Sequence, residues 1–308
     1  MKKVTTLRLI ILLGILLLIY AGTEFFSNSG RSKSLREELV DIDTTKVTLV
    51  QITRDGNTIT LSKVADGWEV SGSDNTFTAV ASRVKNAIST LQTIKPGRIA
   101  TRDPGKWKEF QVDTTGTRVE IFEDKDKTLD IVLGRFGMQG QQRFHTYVRL
   151  HEDNEVYVAD NFISFSVSTD VSSYRNQMLV EFQRDSVESI HLIYPEDSSF
   201  QLVRSLDGKW LVDAAPADSA ETTRYLNSIS RLSSSKFDNE TDPETLGEPV
   251  YMAIINIMNE DPVEIRAWLK PDSTFVITSS QNIEGVFSDI SLTDKLFKPK
   301  YGFLPAEE

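Results

Sequence analysis

Apolar and polar positions divide this chain into one long apolar run and two later stretches of short, alternating pattern. Leu9 to Ala21 reads LIILLGILLLIYA without a charge, and the run extends to the mostly apolar Val4–Phe26, with Arg8 near one end and Glu24 near the other. At about 1.5 Å per residue, such a run crosses a hydrocarbon layer of roughly 30 Å. The pattern therefore predicts a single N-terminal transmembrane helix. Beyond it, Val47–Val70 reads VTLVQITRDGNTITLSKVADGWEV, and Val187–Val212 reads VESIHLIYPEDSSFQLVRSLDGKWLV. Each predicts a strand, a polar turn, a second strand, an Asp-Gly turn and a short third strand. Gly and Asp supply the positive φ that tight hairpins need. Trp68 and Trp210 fall at matching places, 142 residues apart.

A helix pattern follows in both stretches. Phe77, Val80, Val84, Ile88 and Leu91 recur at three- and four-residue spacing, the stripe of an amphipathic helix closed by Pro96-Gly97. Tyr225, Leu226, Ile229 and Leu232 repeat the stripe after Asp218 and Glu221, which form a capping box. Matching Ile88 to Ile229 and Leu91 to Leu232 sets the copies 141 residues apart. Four strands are then expected in each copy. They are Arg118–Phe122, Leu129–Leu133, Phe144–His151 and Glu155–Ala159, then Tyr251–Ile257, Val263–Trp268, Thr274–Thr278 and Gly285–Phe287. Alternation through 144–151 predicts an antiparallel strand with one wet face. Asn161–Phe182 reads as a helical or irregular connection.

The expected fold class is α+β: a transmembrane helix, then two tandem homologous modules of antiparallel strands with one packed helix each. The boundaries are an anchor at 1–30, repeats at 44–160 and 184–300, a connector at 161–183 and a tail at 301–308.

Composition adds limits. Hydrophobic residues make up 39%, enough for packed cores, and the formal net charge is −11. Residues 1–31 carry Lys2, Lys3, Arg8 and Arg31 against Glu24, so the remainder is strongly acidic. That balance disfavours nucleic acid and anionic lipid as partners. Lys2 and Lys3 before an apolar run form the basic region of an export signal, and long following domains translocate. The expected location is the cytoplasmic (inner) membrane, single-pass, behind a signal-anchor with the bulk periplasmic; the alternative is a signal cleaved at a small-x-small site, Ala21–Thr23 or Ser27–Ser29. The chain has no cysteine, which excludes disulfides, thiol catalysis, cysteine zinc sites and a lipidated cysteine anchor.

No chemistry-bearing motif completes itself. His145 and His151 share a strand face but stand about 20 Å apart at roughly 3.3 Å per residue, and His191 lies in the other copy. No G-x-S-x-G elbow occurs. Glu120, Glu123, Asp124, Asp126 and Asp130 cluster around a hairpin turn, where acidic residues are ordinarily solvated; the calcium-loop pattern is missing. Gly134, Gly137 and Gly140 lack a following G-K-[ST] and helix, so GRFGMQGQQ reads as a flexible hairpin loop. Catalytic, cofactor-binding and metal residues are therefore assigned to none. Arg135, Phe136 and Met138 combine types enriched at interfaces and form the candidate partner contact. The alternative, that Phe136 and Met138 tuck into their own domain, stands beside it. Trp268, Lys270 and Pro271 hold the corresponding place in the second copy.

Asp66-Gly67-Trp68, Leu133-Gly134-Arg135 with Phe144–Leu150, and Ser173-Tyr174-Arg175-Asn176-Gln177-Met178-Leu179 together resemble the domain-of-unknown-function 4340 family of bacterial envelope proteins. The last segment is similar to that family's LRD-x-x-L pattern, with Tyr174 and Asn176 replacing its Leu and Asp. Members are often encoded beside ABC-transporter permeases and the auxiliary proteins of gliding-type transport systems. The resemblance implies a non-enzymatic, membrane-anchored accessory or scaffold protein that binds such a complex, with no catalytic residues to carry over. The rivals are an envelope enzyme acting on glycan or peptide through a carboxylate pair, and an extracellular polymer-binding module.

Overall fold

The two Asp-Gly meanders form as their turns require. In a computed structural model describing residues 36, 38–140 and 143–305, Asp55 and Gly56 take positive φ between β1 (Val47–Arg54) and β2 (Asn57–Val64), and Gly67 opens β3 (Gly67–Ser71). Then come β4 (Thr76–Ala79), α1 (Ala81–Leu91), β5 (Pro96–Thr101), the single turn α2 (Trp107–Phe110), β6 (Thr117–Glu123), β7 (Asp126–Gln139), β8 (Arg143–Leu150) and β9 (Val156–Asp160). A short β10 (Met178–Glu181) precedes β11 (Val187–Ile193), β12 (Phe200–Arg204), β13 (Trp210–Val212), β14 (Ala215–Pro216) and α3 (Ser219–Ile229). The chain continues through β15 (Arg231–Ser233), β16 (Tyr251–Ile257), β17 (Val263–Leu269), β18 (Phe275–Ser279), β19 (Asn282–Phe287) and α4 (Ile290–Leu296).

The strands form one sheet of order β4-β3-β2-β1-β6-β7-β8-β9-β5 and a second of order β14-β13-β12-β11-β16-β17-β18-β19. Both meander outward, return over a helix to the first strand, and meander to the other edge. The first sheet adds β5 at its far edge, and β10 pairs with β15 outside both.

The expected α+β class with an N-terminal transmembrane helix is corrected by these elements. The fold is mostly β: 43% of the described chain is strand and 20% helical. Met178–Glu181, read as connector, and Leu232, read as helix, become strand because β10 and β15 pair across the chain, while Phe77, also read as helix, extends the local meander as part of β4. Val4–Phe26 lies outside the described residues, and among those described no helix is long and apolar enough to cross a membrane.

The helix alignment also changes. Helix α1 buries Val84, Ala87, Ile88 and Leu91, and α3 buries Thr222, Tyr225, Leu226 and Ile229. Matched from their first residues, the helices are 138 positions apart, roughly one helical turn from the expected 141. Leu232 is in β15, paired with Val180, and Phe77 is in β4, paired with Val70. A single inward residue of a flanking strand falls in step with a helical stripe, so spacing alone cannot place the helix end.

Each sheet packs one face on its helix. The first core also takes Leu39, Val40 and Ile42, ahead of the expected boundary, and the second takes Leu179, Val180, Phe182 and Phe303. Trp68 and Trp210 pack partly buried against the first and second core respectively. The other face of the first sheet is not simply wet. Residues between α1 and β6 fold back over it, burying Phe110, Val112, Val132 and Val156 with Trp107 and Tyr147 alongside.

Candidate contact surface on the long hairpin

β7 is 14 residues long and leaves register with β8 between Leu133 and Phe136. The expected flexible loop is thus mainly paired strand. Gly134 marks the irregularity for a steric reason. A Cβ there would collide with the Phe110 carbonyl and stand 2.6 Å from Val112 Cγ1. Only a glycine lets the covering segment lie this close to the sheet.

Past that point the apolar side chains gather on the surface. Phe136 stacks on Phe144 at 6.2 Å and meets Phe165 edge-on at 5.4 Å between ring centroids. Phe165 is 71% exposed and Met138 63%. Arg135 is exposed and places its guanidinium 5.5 Å from the Tyr147 ring centroid. Beside the aromatic group lies a concavity of about 310 Å³ lined by Arg54, Thr117, Phe136, Ser164 and Phe165 among others. Phe136 and Met138, opposite Thr146 and Phe144 of β8, thus share one face, with Phe136 half-buried by its neighbours, whereas Arg135 lies over Tyr147 on the other face. Phe165 was missed because it stands in the connector, 29 residues from Phe136, with no periodic pattern to tie them.

The second-copy candidates behave differently. Trp268 is 6% exposed, and its Nε1 donates to the Gly247 carbonyl at 3.0 Å. It is a buried side chain under the segment before β16, not a surface contact, because that segment covers β17. Lys270 is paired with Asp238 at 2.9 Å, while Pro271 is exposed.

The acidic hairpin holds a charge network. Glu120 and Asp130 are direct cross-strand partners, and Arg118 and Lys127 bond to both. Burial raises the Asp130 carboxyl, but the hydrogen bonds from Arg118 and Lys127 outweigh it and hold it below the ordinary range. A general acid needs the opposite shift. His145 lies edge-on to Tyr147 and His151 stands 3.8 Å from Asp130. Among the described residues no three metal-ligating side chains converge.

The segment Ser173–Leu179 is the joint between the two sheets. Arg175 is 4% exposed, its guanidinium 3.5 Å from the Phe77 ring centroid and 3.8 Å from that of Phe237. Its Nη1 donates to Asn239 Oδ1 at 2.7 Å and its Nη2 to the Glu284 carbonyl at 3.0 Å. Val80 N–H donates to the Tyr174 carbonyl at 2.8 Å, and Arg83 Nη1 to the Ser173 carbonyl at 2.9 Å. Asn282 Nδ2 donates to the Asn176 and Met178 carbonyls, both at 2.8 Å. Thr78 Oγ1 donates to Glu284 Oε1 at 2.7 Å. Phe77, Thr78 and Arg83 belong to the first module; Phe237, Asn239, Asn282 and Glu284 belong to the second.

These features define a protein of two like-ordered antiparallel sheets, clasped by their connector and carrying an exposed aromatic hairpin. The chain belongs to the family described as Domain of unknown function (DUF4340), which matches residues 68–248. That match takes in α1, the hairpin, the whole joint segment and α3. Among curated proteins and solved structures, none matches the chain.

Proposed function

We propose that this chain is a non-enzymatic accessory or scaffold protein of the cell envelope, binding a membrane complex of the ABC-transporter type. The observation that carries the reading is the surface group formed by half-buried Phe136 and exposed Met138 on the paired hairpin with exposed Phe165 of the connector beside them. Aromatic and Met side chains are enriched in protein contacts, and a rigid element presents them with little ordering cost. The family resemblance supports the transporter partnership. The run Val4–Phe26, with Lys2 and Lys3 before it, supports placing both modules outside the cytoplasmic membrane.

The test is cross-linked recovery of partners from native membranes, using the full chain and a double variant, Met138→Glu with Phe165→Glu. Both side chains are largely exposed, so the variant is expected to melt as the wild type does. Recovery of a membrane-complex subunit is expected to fall at least tenfold. Undiminished recovery removes the hairpin from the reading. Turnover of a cell-wall glycan or peptide by the purified chain, lost on changing one carboxylate, replaces the reading with an enzyme.

A further inference from the structure

The outer face of the first sheet carries a second concavity, separate from the aromatic hairpin. It encloses about 470 Å³. Its floor follows from strand register. Thr53 of β1 faces Arg118 of β6, Arg118 faces Val132 of β7, and Val132 faces Arg149 of β8. One row across four strands thus runs hydroxyl, guanidinium, isopropyl, guanidinium. With neighbouring strands about 4.8 Å apart, the two arginines flank Val132 at roughly 10 Å between backbones. Trp107 forms a wall from the segment that folds back over this face, and its ring centroid is 3.8 Å from the Arg149 guanidinium. His151 and Arg54 complete the rim.

Arg149 is 4% exposed, and no carboxylate pairs with it among the described residues. Its Nε donates to the Val112 carbonyl at 3.0 Å; its Nη1 donates to the carbonyls of Leu150, His151 and Asp153. Four neutral acceptors hold the group in place without cancelling its charge. Its Nη2 has no partner among the described residues, yet Thr293 Oγ1 is the sealed, unpartnered side-chain atom found there. Nη2 is therefore open to the concavity. Arg118 differs: Nε and Nη2 are bonded to Asp130 and Glu120, which Lys127 also neutralises, and Nη1 makes no hydrogen bond among the described residues. Asp55 and Asp113 also line the concavity: Asp55 pairs with Arg54, while Asp113, whose carboxylate is bonded only to Thr115 among the described residues, keeps its charge and excludes the anion from its own side of the concavity.

The geometry points to a binding site for an oxyanion, carboxylate or phosphate, carried on a small apolar or ring-bearing body. The anion takes the free donors of Arg149 and Arg118, and the body lies against Trp107. A fixed guanidinium whose position is already secured by carbonyls loses little freedom on binding, which favours a charge-assisted hydrogen bond over a loose surface pair. The apolar wall beside two cations selects amphipathic anions over inorganic ones, because the body removes the half-buried Trp107 ring from water.

Calorimetric titration of the purified full chain with phenyl phosphate, benzoate and benzyl alcohol tests the site. The first two separate phosphate from carboxylate as the preferred headgroup; the third is the neutral control. Saturable binding of at least one anion is expected, with none of the alcohol. Thr53→Glu sets a carboxylate beside Arg118 on an accessible strand position, and is expected to weaken anion binding at least tenfold with the circular dichroism spectrum unchanged. The Met138→Glu, Phe165→Glu variant is expected to bind the anion as the wild type does, so this site and the hairpin stand or fall separately. No saturable binding of either anion, equal binding of the alcohol, or undiminished binding by Thr53→Glu overturns the proposal.

Discussion

Two arginines are central at the scale of single residues. Arg149 and Arg175 are both buried, both stacked on aromatic rings, and both bonded to neutral acceptors. A planar guanidinium suits this use: its faces lie on rings while its edges donate in fixed directions, which an ammonium cannot do. Burial pushes both below the ordinary arginine value, and both still hold their proton. The acids of the second module are more pH-sensitive. Burial raises Asp238, but hydrogen bonds from Lys270 and Thr241 outweigh it and leave the carboxyl at about 2. Asp289 likewise lies at about 2, with Ser234, Lys236 and Ser291 donating to it against burial. A carboxyl depressed on folding contributes stability that is complete above its unfolded value near 3.8 and is lost as pH falls through about 2. Asp238→Asn is therefore expected to cost about 2 kcal/mol at pH 7. The difference from wild type should close as pH approaches 2. Urea unfolding across that range checks it, and a cost independent of pH removes the ionised carboxylate as its source.

At the scale of elements, the two helices are started by different means. Asp218 caps α3 through its side chain, accepting from Ala220 N–H at 2.8 Å and Glu221 N–H at 2.9 Å. No side chain caps α1; Val80, its cap residue, is held instead by the Tyr174 carbonyl. The Asp218 cap was legible in sequence because it is local; the reciprocal half of the expected capping box does not form, since Asp218 N–H donates to the Phe303 carbonyl and Glu221 accepts from Arg224. The start of α1 was not legible, because its fixing group lies 94 residues away. The long hairpin shows the same contrast. The pattern identified β8 and the Leu129–Leu133 part of β7, but not its continuation to Gln139, and the Gly134 irregularity depends on where the Phe110–Val112 backbone lies. Gly134→Val is expected to push that segment off the sheet and cost about 1–3 kcal/mol. Trp107 should become more exposed, read as a red shift in its emission against a Trp107→Phe background. A silent substitution would mean that the covering segment is not held by this close approach.

For the whole molecule, the joint decides behaviour. Two separate apolar cores could unfold independently, and the described contacts between them are concentrated on Ser173–Leu179 and the residues it touches. Arg175→Met keeps an unbranched stem but removes the guanidinium from between Phe77 and Phe237. It also leaves Asn239 Oδ1 and the Glu284 carbonyl without that donor. The loss is expected to be about 3 kcal/mol, from two ring contacts and two unmet acceptors. Because the loss falls on the joint, calorimetry should resolve two transitions where the wild type has one. One unshifted transition would show that coupling runs through other contacts. A scaffold needs a fixed distance between its contact surfaces, which gives the joint its role in the proposed function.

The sequence by itself determined the first three strands and the last four of each copy, the tight turns, most of each helical stripe and the family, because these rest on local φ preference and on side-chain periods of two and 3.6; it did not show β4, β5 or β14. It also brought Arg135, Phe136 and Met138 forward as a contact group, by residue type alone. Only the tertiary structure decided that Leu232 and Phe77 are strand residues, that Trp268 is buried, and that Phe165 joins Phe136. The same holds for Arg175 as the clasp between modules and Arg149 as an uncancelled charge facing a concavity. Apart from Phe77, whose partner Val70 is close in sequence, each of these depends on which distant segment covers a given face. Periodicity reports that a residue faces something apolar; what it faces is set by long-range packing, which leaves no periodic mark along the chain.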